Sequence, residues 1–441
     1  VTVRSGAPRR VFYGYWILAC VFVVQMLVNG CGMYAFSLFV KPLQTAFDWS
    51  RAGIMFSLVL YNLVTAATSP LVGRVVDRLG SRLVMAAGSV VMGLGLLILS
   101  RASQLWQYNL VWGLIGAGVC ATGFIPTTAL LFKWFRRRRG FAIGVMGTGI
   151  GLGGFLMSPL IGSWLIPQLG WRLALVVLGV IVVGICTPLT MLIIKPDPAS
   201  VGQQVDGDPA PGSAQAAVLA VRQGQDRRRS RIVSRPDEGI TAAQAVHSGA
   251  FWLMAPALAL FGFAMNAIFQ NQVPHLQDLG FSAATAATAL SMVGIGSAAG
   301  KLAFGLACDW LRPRYVFIFG ILLQLTSVVI LVSIGIDSSP GLVWLYAVLY
   351  GAGIGCWPII SMLVSDTFGL AHYGTIYGML NFTQMIGSSL GAPFAGLVQD
   401  ATGSYRLAFI VFIAAYAVVI PAVVLSGRLA RSLTRDRTAL Q

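Results

Sequence analysis

The sequence predicts an all-α membrane protein of twelve transmembrane helices, arranged as two pseudo-symmetric six-helix bundles. Three observations predict it. Of 441 residues, 57% are hydrophobic and only 10% are charged, whereas charged residues make up about 25% of an ordinary soluble protein. The apolar residues gather into twelve runs, each near the ~20 residues that cross a bilayer as a helix. The runs on either side of one polar interval also match each other in order. The run cores are rich in Val, Ile, Leu, Ala and Gly without period-two alternation, which favours helices over a barrel.

In chain order, residues 1–13 form a short basic arm. The first bundle, 14–194, holds runs at about 14–40, 53–73, 83–101, 106–132, 141–166 and 173–194. The first run lacks a cleavable signal pattern and is long enough to cross, so it reads as an uncleaved signal-anchor. Residues 195–248 break the apolar pattern with Pro, Gly, Gln, Asp and an Arg run (Arg227, Arg228, Arg229, Arg231, Arg235). Such a stretch cannot bury a core, and a mostly disordered linker is expected. Its end, Thr241 to Val246, suits one short surface helix capped by Thr241. The second bundle, 249–427, holds runs at about 250–274, 283–308, 314–336, 341–365, 374–399 and 405–427, and residues 428–441 form a tail.

A net charge of +16 in a soluble domain suggests nucleic acid, but the placement of the charge argues for topology instead. With both termini inside, the inner segments hold 24 of the 30 Lys and Arg, the outer loops hold Lys41, Arg51, Arg101, Arg172 and Arg406, and one cation, Lys301, remains. This is the positive-inside bias, and it places both termini and the linker in the cytoplasm. No nucleic acid partner is expected. Cys20, Cys31, Cys120, Cys186, Cys308 and Cys356 lie in or beside apolar runs at spacings that match no zinc or redox pattern. They read as small buried hydrophobes, with no metal or cofactor implied.

The two halves align at a shift of 232 to 235 residues. Phe47-Asp48-Trp49-Ser50 answers Leu279-Gly280-Phe281-Ser282, and Gly73-Arg74-Val75-Val76-Asp77 answers Gly305-Leu306-Ala307-Cys308-Asp309. Gly116-Ala117-Gly118 answers Gly351-Ala352-Gly353, Pro159 answers Pro393, and Trp171-Arg172-Leu173-Ala174 answers Tyr405-Arg406-Leu407-Ala408. Parallel six-helix repeats around a midplane site are a secondary-transporter plan.

The stretch Gly73-Arg74-Val75-Val76-Asp77-Arg78-Leu79-Gly80-Ser81-Arg82 resembles the loop 2–3 signature of the major facilitator superfamily. Within it, Phe39-Val40-Lys41-Pro42-Leu43 with Trp49-Ser50-Arg51-Ala52, Trp134-Phe135-Arg136-Arg137-Arg138-Arg139-Gly140, and Gly239-Ile240-Thr241-Ala242 before Phe251-Trp252 resemble the oxalate/formate antiporter and monocarboxylate transporter branch. The resemblance covers nearly the whole chain. It implies the major facilitator fold, alternating access around a midplane site, and a cavity lined by helices 1, 4, 7 and 10.

Lys301 is the sharpest candidate for binding. It lies well inside the eighth run, eight residues before Asp309, or about 12 Å from the inner interface at ~1.5 Å per residue. A fixed charge in hydrocarbon costs at least ~2.5–3.5 kcal/mol on insertion scales, so it faces a partner or a wet path. The rival reading is a lysine that snorkels inward. Against that, side chains lean toward a helix's N-terminus, which here is outside. In the monocarboxylate branch an arginine at a similar place grips the substrate carboxylate, and a lysine offers a point charge without the fork. That branch carries an aspartate one turn earlier, where this chain has Ser297, and the single glutamate, Glu238, is in the linker. Oxalate carriers place a second cation on helix 11, where this chain has Asn381 and Gln384. One cation suits a monoanion.

On helix 1, Gly30, Tyr34, Ser37 and Lys41 share a stripe, and the repeat maps Tyr34 onto Asn266, which pairs with Gln270 at i, i+4. That shared face is the candidate cavity wall. Trp357 resembles the cavity tryptophan of oxalate carriers, with a packing aromatic as its rival. Asn381 and Gln384 either face substrate or bond between helices. By resemblance, Asp77, Arg78, Arg82 and Asp309 form an inner latch, with the Arg136–Arg139 run as a partner for Asp309 or an anchor to anionic lipid.

The reading is a secondary active transporter of small organic monoanions such as lactate, pyruvate or formate, by proton symport or anion exchange. It is expected as a monomer in a cell inner membrane, with lipid around it and protons as a possible co-substrate. The rivals are efflux of an amphipathic drug or metabolite and a transport-dead sensor. An enzyme is disfavoured, because no nucleophile, metal cluster or acid pair stands out.

Overall fold

The computed structural model describes residues 12–49, 51–208, 240–281, 283–335 and 339–439. The arginines of the N-terminal arm, the linker's Arg run and Glu238 lie outside the described residues. Among the described residues twelve long helices follow one another. α1 runs Gly14–Asn29, widens into a π turn over Gly30–Tyr34, and continues as Ala35–Phe47. α2 is Arg51–Leu79 and α3 is Ser81–Leu99. α4 comes in two pieces, Leu105–Thr122 and Phe124–Trp134, broken at Gly123. α5 is Arg139–Pro159, extended by a wide turn over Leu160–Leu165. α6 comprises Ile166–Ile181, Val182–Cys186 and Thr187–Ile193. The helix kinks at Gly170, whose φ of 75° only a glycine adopts without strain.

In the second half α7 is Gly249–Asp278, α8 is Ala283–Cys308 and α9 is Pro313–Ser333. α10 is again broken, into Pro340–Ile354 and Ile359–Phe368, with Pro358 just before its second piece. α11 is Tyr373–Thr402 and α12 is Arg406–Ala439. Among the described residues, eleven spans are long and apolar enough to cross a membrane. α11 is the helix outside that set, because polar residues such as Asn381, Thr383 and Gln384 lower its hydropathy, and some of them bond to neighbouring helices. Asn381 Nδ2 donates to Ser69 Oγ at 2.8 Å, and Thr383 Oγ1 donates to the Ala255 carbonyl at 3.2 Å.

Each half packs as its own bundle. The principal contacts within halves are α1 with α5, α2 and α3 with α4, α7 with α11 and α12, and α8 and α9 with α10. Between halves, α2 lies on α11 and α5 on α8. Apolar side chains give no hydrophobic drive between helices in lipid, so close backbone approach at small residues carries these contacts. A Cβ at Gly153 would overlap the Met26 carbonyl of α1, and one at Gly144 would stand 2.9 Å from the Lys301 carbonyl of α8.

One end of the molecule carries the chain's first described residues and both ends of the linker, and is called here the linker face. Tyr13 Oη donates to the Ile193 carbonyl (2.9 Å), and Ile240 N to the Phe368 carbonyl (3.1 Å). A short helix, Ala242–Val246, is capped by Thr241, whose Oγ1 accepts Gln244 N at 3.3 Å. The expectation of a mostly disordered linker fails for its first part. Lys195 to Asp208 fold against the bundle because loop 4–5 offers free amides: Asp206 accepts Arg136 N and Arg137 N at 3.0 and 2.9 Å. Gln203 Oε1 accepts Tyr13 N at 2.8 Å.

Two arginines at matching places brace the linker face differently. Arg314, at the start of α9, pairs with Asp366 of α10 at 3.2 Å. Arg82, at the start of α3, donates through Nη2 to the Met191 carbonyl of α6 at 2.5 Å.

Candidate functional site

Lys301 sits where α5, α8 and α10 meet and is 8% exposed. Its position is fixed by backbone contact on two sides. Gly300 lies against Ala352 of α10 so closely that a Cβ would overlap the Ala352 carbonyl oxygen, and Gly144 of α5 lies against the Lys301 carbonyl. The lysine stem runs past Gly147, where a Cβ would meet Lys301 Cδ at 3.4 Å and Pro358 Cγ at 3.2 Å. Among the described residues no carboxylate forms an ion pair with Lys301.

Tyr34 stands on the same stripe of α5. Its ring would meet a Cβ at Gly154 at 2.7 Å, and Gly147 and Gly154 are seven residues apart, which is one helix face and about 10 Å of rise. The π turn at Gly30–Tyr34 ends on this tyrosine and packs against α5. Ala298, one turn before Lys301, faces Gly151 between them. The glycines of α5 thus let a cation pack near one end of this helix face and a phenol near the other.

Trp357 lies in the break of α10, next to the Pro358 that touches Gly147. Its ring meets Phe124, the first residue after the break of α4, edge to face at 4.4 Å and 70°. The two breaks are repeat mates, since a shift of 233 carries Phe124 onto Trp357. Phe124 has no polar atom to draw notice in the sequence, and only the repeat could have found it. Thr128 and Tyr373 add a hydroxyl contact between halves at 2.9 Å, toward the linker face.

The remaining polar candidates divide. Asn266 Nδ2 donates to the Ser388 carbonyl at 2.7 Å, clipping α7 to α11, while Gln270 is exposed. Asn381 bonds Ser69 across the halves, so its amide is committed to an inter-helix bond, the second of its two sequence readings. Gln384 is 1% exposed and packs on Gly262 of α7, with Nε2 unpartnered among the described residues. The structure therefore gathers Lys301, Trp357 and Tyr34 around α5 and leaves Asn266, Gln270, Asn381 and Gln384 along α7 and α11.

At the linker face, two aspartates bridge the halves in the same way. Asp77, at the end of α2, accepts Gly374 N (2.9 Å), Thr375 N (2.8 Å) and Thr375 Oγ1 (2.7 Å) at the start of α11. Asp309, just past α8, accepts Gly140 N (2.7 Å) and Phe141 N (3.1 Å) at the start of α5. Each carboxylate meets unpaired amides and the positive end of a helix dipole. Burial pushes the Asp309 carboxyl up to about 6, against the lowering effect of the two amides and of Arg138.

The arginines expected to complete this latch do something else. Arg78 is exposed, and Arg82 is turned into its own bundle. The Arg136–Arg139 run does not give Asp309 a side-chain partner. Arg137 pairs with Asp206 and Asp208, Arg138 donates to Tyr15 Oη (2.8 Å), and Arg139 folds back on the Phe135 carbonyl (2.9 Å) and the Phe132 ring. The aspartates reach backbone instead, because the amides at a helix start lie closer than any guanidinium.

The profile of the Major Facilitator Superfamily matches residues 22–392 and 272–440. Bovine (Bos taurus) monocarboxylate transporter 13 is 26% identical over 400 residues, covering 90% of this chain and 86% of its own. Human (Homo sapiens) monocarboxylate transporter 11 is 27% identical over 420 residues, covering 93% and 82%. The fold is similar to that of the E. coli fucose:proton symporter FucP, with a TM-score of 0.69, 15% identity, and coverage of 94% of this chain and 99% of that one. It is also similar to the human organic anion transporter MFSD10, with a TM-score of 0.66, 14% identity, and coverage of 95% and 100%. With the profile matching most of its length and twelve helices in two bundles, the chain belongs to the Major Facilitator Superfamily and is a multi-pass membrane carrier rather than an enzyme.

Proposed function

We propose that this carrier moves small organic monoanions, monocarboxylates in the first instance, with Lys301 as the group that neutralises the carboxylate. The observation that supports it most is a buried cation with no carboxylate paired to it among the described residues, standing against the glycine face of α5 between the bundles. Tyr34, about two turns along the same face, is placed to donate to a carboxylate oxygen, and Trp357 with Phe124 floors the site toward the linker face. The names of the relatives, monocarboxylate transporters, point the same way.

The Lys/Arg bias supports a cytoplasmic linker face. With Asp77 and Asp309 engaged there, the site is reached from the opposite face. Substrate binding removes the isolated charge, and release of both aspartates from their amides lets the bundles rock to expose the site to the cytoplasm. With no intramembrane carboxylate among the candidates, the carrier runs either by anion exchange or by proton symport through Lys301 or the substrate.

The test is uptake and counterflow in proteoliposomes. Lys301→Ala should abolish carboxylate transport while the protein inserts and folds, and Lys301→Arg should retain part, since charge survives though shape changes. Wild-type uptake by an inserted Ala variant would sink the binding role. Counterflow that proceeds at full rate without a pH gradient favours exchange, and accumulation that follows the gradient favours symport.

A further inference from the structure

The internal repeat carries an asymmetry at the linker face. A shift of 232 places Arg82 of α3 on Arg314 of α9. In the second half the arginine is neutralised from within, by Asp366 of α10 at 3.2 Å. A shift of 234 places Asp366 on Phe132, and the matching end of α4, Leu130 to Trp134, has no acidic residue. It brings a second cation instead, Lys133.

These two cations line a cavity of about 230 Å³, closed otherwise by Leu79, Gly80, Ser81, Leu83, Leu130, Ile194 and Pro196. Arg82 has one nitrogen, Nη2, on the Met191 carbonyl, while its buried Nε lacks a partner among the described residues. Lys133 is exposed, and none of the ion pairs among the described residues includes it. Asp197, the acidic residue beside the lining, spends its Oδ1 on Ser200 N at 2.8 Å. The first turn of α3 begins at this cavity and has no side-chain cap, so its amides add to the positive character.

The walls distinguish between possible anions. Leu79 and Leu83 are 63% and 50% exposed, at the level where α2, α4 and α6 end and α3 begins. A free phosphate needs no such apolar rim, whereas a lipid presents glycerol and acyl chain next to its phosphate. We propose that the cavity between the linker-face ends of α2, α3, α4 and α6 binds the phosphodiester headgroup of an anionic phospholipid, with Arg82 and Lys133 as its cationic partners and the phosphate supplying the negative charge that Asp366 supplies in the other half. The lipid thereby completes a brace that the first bundle lacks.

Native mass spectrometry of the purified full chain tests this, with phosphatidylglycerol and phosphatidylcholine offered together and inorganic phosphate in a separate arm. The wild type should retain one phosphatidylglycerol over phosphatidylcholine by about fivefold or more, the worth of one basic residue at a lipid surface. Lys133→Gln should lose most of that preference. Lys133→Glu, which supplies the missing carboxylate to Arg82, should lose all of it. Because Lys133 is exposed, both variants should fold, and Arg82→Gln serves as a third where it does. Equal phosphatidylglycerol retention by wild type and Lys133→Glu would overturn the site. Equal retention of the two lipids would overturn the charge argument. Displacement of the lipid by inorganic phosphate at equal concentration would make free phosphate the occupant.

Discussion

Replacing Gly140 by alanine should drive the carrier away from the latched state. Gly140 is in the first turn of α5, and an added Cβ would overlap the carbonyl oxygen of Gly305 on α8, standing 2.9 Å from Asp309 Oδ1 and 3.0 Å from the Gly305 carbonyl carbon. Non-bonded carbons settle at about 3.5–4.0 Å, so the methyl needs roughly 1 Å of extra separation. The obstacle is largely main chain, and no change of rotamer relieves it. Overpacking of this kind costs about 1–3 kcal/mol. Alanine also favours the helix over glycine by about 0.5–1 kcal/mol, but α5 is helical whichever face is open, so that gain cancels. The penalty falls on the latched state alone and lowers its ratio to the linker-open state by roughly 5- to 150-fold, at 1.4 kcal/mol per tenfold. Spin labels at Arg78 and His372, both exposed and in opposite bundles, should report the change as a longer distance in double electron–electron resonance. Gly184→Ala is the control, since a Cβ there meets nothing within 4 Å. A Gly140→Ala protein that folds and keeps the control's distance distribution would refute the steric argument.

Two further outcomes are expected. The Asp309 carboxyl sits at about 6 when latched and returns toward its ordinary 3.8 when freed into water. The latched state therefore binds the proton more tightly, and lowering the linker-side pH from about 7.5 to about 5 should raise its population. The gain should begin as the pH falls through about 6 and level off near 4, and it should vanish in Asp309→Asn. The same label pair reads this, and a latched population that shrinks on acidification would reverse the assigned sign. For selectivity, a dicarboxylate leaves one uncompensated charge beside Lys301, at a cost of several kcal/mol. Dicarboxylates should then compete at least ~100-fold more weakly than monocarboxylates in uptake, and tight succinate or oxalate competition would defeat charge matching.

Much of the architecture was legible in the sequence because bilayer-length apolar runs and a repeated motif are one-dimensional signals. Lys301 was legible for the same reason, as a charge interrupting such a run. The latch was only half legible. Asp77 and Asp309 showed as repeat mates, but their partners are mainly backbone amides, which every residue except proline has and no sequence marks. Nearby arginines are the side chains a sequence offers as partners, whereas Arg82 bonds within its own half and Arg78 is exposed. The fold of Lys195 to Asp208 was hidden likewise, since Asp206 finds its partners in loop 4–5, about 70 residues away. Polar helix positions were ambiguous for a different reason. Asn381 and Tyr34 lie in similar settings in the sequence, and only the rotation of each helix decides that one bonds Ser69 while the other lies along the glycine face of α5.

The aspartate-to-amide contacts have a consequence for how this carrier tolerates change. A bridge between two side chains can be broken from either end, and a loss at one end can be offset by a charge swap at the other. Here the donating helix starts contribute mainly main-chain N–H groups, so nearly any residue at Phe141 leaves the bond intact, proline excepted. Genetic suppressors of an Asp77 or Asp309 defect should therefore not arise as compensating charges on α11 or α5. They should fall on residues that bias the two bundles by other means, such as the glycines whose carbonyls lie in the seam.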